Sequence, residues 1–488
     1  MQKGVLIILD GYGEGERYRY NAVSNAKTPT LHALRDKSYS ILKAHGDAVG
    51  VFDDEMGGSE VGHMTIGAGR PIPCTVRKIR DDLLSGEFKN NKVLVKTLND
   101  LEKNQGDLHL FGLMSDKNVH SNIYHCFEII DLAKDRVKNI FIHFVTDGRD
   151  CGMFDSLKYL QLLQKKIKNI KNCHILSVSG RAIAMDRENR MEFTNSAFNA
   201  MFGQNNAIVD IKKYIQSQHD AGNNDQYVQP VSVKSSVFKG VSKKDCLLFF
   251  NFREDRLRQI VKRCEELPCK LVTMGDVENT RAVPIYSSKD IKHTLSEYLS
   301  KKGLKQIKIS ETTKYAHVTY FFNGGREKPF EGEDRIHIPT IKTNNYAKTP
   351  KMQAKKIAIE TVKSIKKGYD AVIVNFSNPD MVGHTGDYNA TVKSLEFMDK
   401  CVNKVIKMAS KKGYFVLLTA DHGNSEQMAD KNDHPQTAHT INPVMCVVAN
   451  ADYEMKKQGS LQDVAPTFID LLGLEPNKHF DGESLIIK

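Results

Sequence analysis

Residues 5–10 read VLIILD, and residues 415–422 read FVLLTADH. Each is an unbroken apolar run that stops at an aspartate, Asp10 and Asp421, the second followed by His422. A strand with one wet face alternates apolar and polar residues. A continuous run suits a strand buried on both faces, as in a parallel sheet covered by helices. The pattern recurs in LHLFGLMSDKNVH (108–120), FIHFVTDGRD (141–150), HILSVSGR (174–181), LLFFNFREDR (247–256) and AVIVNFSNPD (371–380). Helical periods lie between. In 391–412, Val392, Leu395, Met398, Val402 and Val405 define one face, with Gly413 as a stop, and 351–367 behaves alike. Strands alternating with helices make the chain α/β. Open α/β sheets bind ligands beyond the carboxyl ends of their strands, where these aspartates, histidines and arginines stand.

The chain has 488 residues, more than one ordinary core, so two domains are expected, or three. Apolar residues make up 40% and charged residues 26%, which argues against dominant disorder. The first apolar run ends at Asp10, too short for a signal sequence, so neither a secretory signal nor a membrane span is expected. Nine scattered cysteines, with only Cys264 and Cys269 close together, read as reduced thiols of a cytosolic protein. The net charge of +11 comes without a long basic run interleaved with aromatics. Anionic small substrates fit this balance better than nucleic acid.

The polar residues are sorted along the chain. Acids and histidines cluster near the termini: Asp10, Asp380, His384, Asp421, His422 and His439. Arginines cluster in the middle: Arg149, Arg181, Arg187, Arg253 and Arg256. One terminal site would join residues far apart in sequence and make the middle an insertion. The crossings are expected near 71–76 and 283–290, giving a discontinuous domain of 1–73 and 288–488 and an inserted one of 74–287.

NPDMVGHTG sets Asp380 and His384 four apart after a strand, TADHGN gives Asp421 and His422, and HPQTAHTINPV offers His434 and His439. Carboxylate with imidazole and no thiolate suits a divalent metal such as Mn²⁺ or Zn²⁺. Six or seven ligands exceed one tetrahedral site and point to two ions, which together can clamp a phosphoryl oxygen and activate a nucleophile. Taken singly, such aspartates also cap turns. MGGSEVGHMTIGAGR (56–70) carries Ser59 among five glycines. Ser59 is either a nucleophile at a helix start, where free N–H groups favour a phosphate, or a plain N-cap with Glu60 in the first turn. The arginines suit a small ligand with several negative charges, and Asp150 a general base.

Together IILDGYG, NAVSNAKTPTL, MGGSEVGHMTIGAGR, SDKNVHSN, FVTDGRD, GRAIAMDRENR, NFREDRLRQ, ETTKYAHVTYFFNGG, NFSNPDMVGHTG, LLTADHGN and TAHTINPV, in order over nearly the whole chain, closely resemble the cofactor-independent phosphoglycerate mutases of the alkaline phosphatase superfamily. The resemblance implies an alkaline-phosphatase-like domain, with a central sheet flanked by helices, and an inserted α/β transferase domain. It implies two Mn²⁺ ions, with Mg²⁺, Co²⁺ or Zn²⁺ as substitutes, and no 2,3-bisphosphoglycerate. Asp380, His384 and His439 would hold one ion, and Asp10, Ser59, Asp421 and His422 the other. Ser59 would become phosphoserine, Asp150 would handle hydroxyl protons, and Lys314 would stand near the phosphoryl group. His120, Arg149, Asp150, Arg181, Arg187, Arg253, Arg256 and Lys314 would hold substrate while domain closure excludes water. A cytoplasmic monomer acting on 3-phosphoglycerate and 2-phosphoglycerate is expected.

The chain departs from the family at Gly58, where asparagine is usual, at Lys117 and Asn118, where glycines are usual, and at Ala182, Ile183 and Met191. None of these is a proposed ligand. Two other readings predict different features. A metal-dependent phosphohydrolase needs the metal set and Ser59 but no arginine cage. A non-catalytic binding protein predicts an eroded metal set.

Overall fold

In the computed structural model, which describes residues 2–36, 39–203, 207–287 and 291–487, the VLIILD run forms a strand, Lys3–Leu9. Val5 to Leu9 are without solvent exposure, as two-sided burial requires. The strand pairs in parallel with Ala371–Phe376 on one side and Tyr414–Thr419 on the other. Leu9 pairs with Phe376 and Ile8 with Thr419, so the three chains leave the sheet at one level. This register delivers Asp10, Asp380 and Asp421 to the same edge.

The chain divides into two units, Met1–Arg77 with Lys289–Lys488, and Lys78–Ser288. Residues 288–290, the end of the expected second crossing, lie outside the described residues. Among the described residues of the first unit, eight strands form one sheet, ordered Glu333–Ile338, Gln306–Glu311, Ala371–Phe376, Lys3–Leu9, Tyr414–Thr419, Val444–Ala449, Tyr39–Lys43, Gln458–Ser460. Its first five strands are parallel, and Val444–Ala449 runs antiparallel to both neighbours. The cause lies in the connection: residues 420–443 contain no helix to carry the chain back across the sheet, so the strand returns in the opposite direction.

Helices Ala354–Lys367 and Tyr388–Lys411 fall where the apolar periods put them. Asp387 caps the second by accepting the Ala390 N–H, and Gly413 beyond its end has φ +71°, which glycine adopts at little cost. The second unit has its own sheet, of seven strands among the described residues, in which Cys173–Gly180, Ile140–Thr146, Leu108–Leu113, Cys246–Phe249 and Lys270–Thr273 are neighbours in that order and all parallel. Each unit carries a hydrophobic core of its own.

Candidate active site

Ser59 opens the helix Ser59–Ala68; the N-cap is Gly58, and no side chain caps the helix. Ser59 is therefore at the first helical position and its hydroxyl is free for other partners. Its Oγ donates to Asp10 Oδ1 at 3.1 Å, lies 2.9 Å from His422 Nε2, and accepts from the Lys314 ammonium. The helix approaches the 421 loop so closely that a Cβ at Gly62 would stand 2.6 Å from the Asp421 carbonyl oxygen. Glycine in this stretch is thus partly a matter of room. At Gly58, by contrast, a Cβ would meet the His439 ring at 3.5 Å, an ordinary contact, so the helix start has space for a side chain that this chain does not use.

Two groups of donors surround Ser59 in the first unit. Ligand atoms of Asp380, His384 and His439 lie within 4.8 Å of one another, and so do those of Asp10, Asp421 and His422. His384 Nδ1 donates to the Thr437 carbonyl at 2.6 Å and His439 Nδ1 to the Gly57 carbonyl at 2.9 Å. These bonds aim both Nε2 atoms inward, 3.1 Å apart and 3.1 and 3.3 Å from Asp380 Oδ1. Histidine held at Nδ1 by a carbonyl, with Nε2 presented beside a carboxylate, is the usual setting of a metal ligand. Asp421 Oδ2 is buried with imidazole nitrogens beside it, His63 Nδ1 at 3.0 Å and His422 Nε2 at 3.6 Å. Carboxylate oxygens and imidazole nitrogens without thiolate, gathered this closely, fit a divalent cation in each group.

Lys314 Nζ bridges the groups, 2.7 Å from Asp10 Oδ1 and 2.6 Å from Asp380 Oδ2. Burial alone would raise both carboxyls, but the Lys314 ammonium, helped by His422 and, at Asp380, by His384 and His439, holds them well below the usual carboxylate range. Burial would in turn lower Lys314, and Asp10 and Asp380 outweigh it and raise it. Burial likewise disfavours a charged His422, yet Asp421, Asp10 and Asp380 push it up to about 9. The hydrogen bond to Asp380 raises His384. His434 is not part of this arrangement; it is exposed and faces Asp430 at 3.3 Å.

Sequence patterning missed two members of this site. His63, one helical turn after Ser59, turns Nδ1 to the Ser59 carbonyl at 2.9 Å. Asn375, inside an apolar strand, donates from Nδ2 to Asp10 Oδ2 at 2.7 Å and sits 3.0 Å from His63 Nε2. The spacing of His63 from Ser59 was the available signal; Asn375 offered only its polarity within AVIVNF.

In the second unit, His120, Asp150 and Arg181 come together. Arg181, 1% exposed, donates from Nη1 to Asp150 Oδ2 at 2.6 Å and to Asp147 Oδ1. Asp147 Oδ1 also accepts the Arg149 and Asp150 N–H groups at 3.2 Å, which shapes the turn that bears them. Burial and then the Arg181 charge push His120 down to about 4. Arg187 and Arg253 reach Asp255 at 3.2 and 3.1 Å, and Arg256 donates to the Met185 carbonyl at 3.2 Å. Arg256 is lowered by burial and then by Arg181, Arg187 and Arg149. Like charges gathered this closely disfavour one another's charged form. Asp147, which holds Arg181, and Asp255, which holds Arg187 and Arg253, were not singled out from sequence.

A family described as the Metalloenzyme superfamily matches residues 2–476. The chain is similar to the 2,3-bisphosphoglycerate-independent phosphoglycerate mutase of Acetivibrio thermocellus, with 39% identity over 505 residues and 99% of both chains covered. It is similar to the protein of that name from Clostridioides difficile, 39% identical with both chains fully covered. Among solved structures it is similar to the phosphoglycerate mutase of Leishmania mexicana at low cobalt concentration, 30% identical with TM-score 0.65, covering 100% of this chain and 98% of that one.

Proposed function

The chain belongs to the Metalloenzyme superfamily and, within it, to the 2,3-bisphosphoglycerate-independent phosphoglycerate mutases, and from that membership we infer that it interconverts 3-phosphoglycerate and 2-phosphoglycerate through a phosphoserine on Ser59. The observation that carries the covalent route is the Ser59 hydroxyl, shared among Asp10, His422 and Lys314. Asp380, His384 and His439 would hold one divalent ion, and Asp10, Ser59, Asp421 and His422 the other. Bound ions would supply positive charge to phosphoryl oxygens and lower the pKa of a coordinated hydroxyl. Manganese is the ion proposed. In the forward direction a bond forms between Ser59 Oγ and phosphorus and the bond from phosphorus to the C3 oxygen breaks. The Ser59 proton is lost as the C3 oxygen gains one. Return to the C2 oxygen reverses this sequence and frees Ser59. Lys314 keeps its proton and offsets negative charge on the phosphoryl group. Asp150, its carboxylate fixed by Arg181, would exchange the glycerate hydroxyl protons. His120, neutral because of its burial, and Arg149, Arg181, Arg187, Arg253 and Arg256 would bind the anionic substrate. We propose a monomer acting in the cytoplasm, with the Lys78–Ser288 unit as the transferase domain and the other as the metal-binding domain. Among the described residues no helix is long and apolar enough to cross a membrane.

The deciding assay supplies 3-phosphoglycerate and Mn²⁺ and follows 2-phosphoglycerate and free phosphate together. Conversion without matching phosphate release is expected; phosphate as the main product would make the protein a hydrolase.

The histidines also set a pH dependence. With its pKa at about 9, His422 keeps a proton at neutral pH in the metal-free protein, and an incoming ion must displace it. His384, also raised, adds to this competition at lower pH. Apparent Mn²⁺ affinity should therefore fall by at least about tenfold per pH unit from pH 8 to 6. Chelator competition at pH 6, 7 and 8 measures this, and equal affinities across the series would contradict it.

A further inference from the structure

We propose that Glu426 is the strut that holds the two metal-binding groups of the first unit in register. This rests on the metal sites described above and adds to them a residue that ligates neither ion. Glu426 is 1% exposed, and its carboxylate accepts four hydrogen bonds from three separate stretches of chain. Oε2 takes the Gly13 N–H at 3.2 Å and the Asn424 N–H at 2.8 Å. Oε1 takes the Asn442 amide at 3.0 Å and the Thr440 hydroxyl. Each stretch carries a donor. Gly13 follows Asp10, Asn424 follows Asp421 and His422, and Thr440 follows His439. Glu426 thus ties the Asp10 and Asp421 group to His439 of the other group through one side chain.

Two glycines clear the space. A Cβ on Gly13 would stand 2.2 Å from Glu426 Cδ, and one on Gly423 would stand 2.5 Å from Oε1 and 2.3 Å from Thr440 Oγ1. Neither has positive φ, so these glycines serve room and not backbone conformation. Backbone bonds join the same stretches, from Thr440 N to Gly423 O at 3.1 Å and from Glu14 N to Pro443 O at 2.7 Å. The carboxylate is where all three meet. A four-coordinate acceptor in a dry interior is costly to leave half satisfied, so the loops are held at one spacing. Partners beyond the ligand shell typically set metal affinity by 10–100-fold.

The test is a Mn²⁺ titration of metal-stripped, full-length protein against a chromophoric chelator, with thermal unfolding read with and without Mn²⁺. The parent should bind two ions. Glu426→Ala should weaken both sites by about 10–100-fold and lose most of the Mn²⁺-dependent rise in Tm. Glu426→Gln should stay within about threefold at both sites. Its carbonyl can still accept from Gly13 and Asn424, and its amide can face a reversed Thr440 hydroxyl and a turned Asn442 side chain. His384→Ala, which removes a direct ligand, should weaken one site only. If Glu426→Ala does not fold, Glu426→Asp replaces it: one methylene shorter, its carboxylate cannot span all four donors, and both affinities should fall. Unchanged affinities in the Ala or Asp variant, a loss confined to one site, or a Gln variant as weak as Ala would overturn the strut. A parent that binds no Mn²⁺ would overturn the metal-site reading itself, and the strut with it.

Discussion

Replacing Ser59 with alanine should lower mutase turnover by about 10⁴-fold or more, the scale seen when a covalent nucleophile is removed. The hydroxyl is the atom at which Asp10, His422 and Lys314 converge. The helix start is otherwise intact in the variant, because Ser59 is not the N-cap and its side chain caps nothing. Asp10, Asp421 and His422 remain, so Mn²⁺ uptake should persist with one oxygen donor fewer. The measurement is an enolase-coupled assay beside mass spectrometry of quenched enzyme, where a phosphoryl adduct on Ser59 should appear in the parent alone. Turnover within tenfold of the parent would remove the covalent route.

Stripping the metal should be nearly as severe, lowering activity by about 10³-fold or more, with recovery on adding Mn²⁺ and none on adding 2,3-bisphosphoglycerate. Asp10, Asp380 and Asp421 gather within one small buried region, and Lys314 bridges the first two. A phosphoryl group carrying two negative charges meets three carboxylates offset only by the Lys314 ammonium and a protonated His422, so it is still repelled in a dry site. Ions in both groups would reverse the sign of that field. EDTA treatment and desalting, followed by assay in Mn²⁺, Mg²⁺, Co²⁺ and Zn²⁺, tests this. Full activity in the chelated protein would refute it.

The strands were legible because two-sided burial writes itself as unbroken apolar runs, and their ends because charge cannot continue into the core. That logic found Asp10, Asp380 and Asp421. It could not find Asn375, since a polar residue inside AVIVNF reads as an interruption until its bond to Asp10 is known. Glu426 was invisible for a related reason. Its four partners lie up to 413 residues away, and nothing local distinguishes it from a solvated acid. The antiparallel strand Val444–Ala449 was hidden too, because direction depends on the connection and not on the run itself. Among the arginines, residue type and place suggested an anion site, but only the fold shows that Asp147 holds Arg181 and that Asp255 holds Arg187 and Arg253.

The central place of Lys3–Leu9 in its sheet also imposes an order on synthesis. Its two partner strands end at Phe376 and Thr419. At ribosomal rates of about 5–20 residues per second, this apolar strand waits roughly 20–80 s for both neighbours. The parallel strands of the second unit lie within 108–273 and can pair while the first strand is still waiting. A nascent chain therefore offers a finished inserted unit beside an unpaired VLIILD segment that calls for chaperone cover. On the proposed metal sites, the Asp10, Asp421 and His422 group would be complete once His422 has emerged and the Asp380, His384 and His439 group only after His439, so metal loading would fall near the end of synthesis.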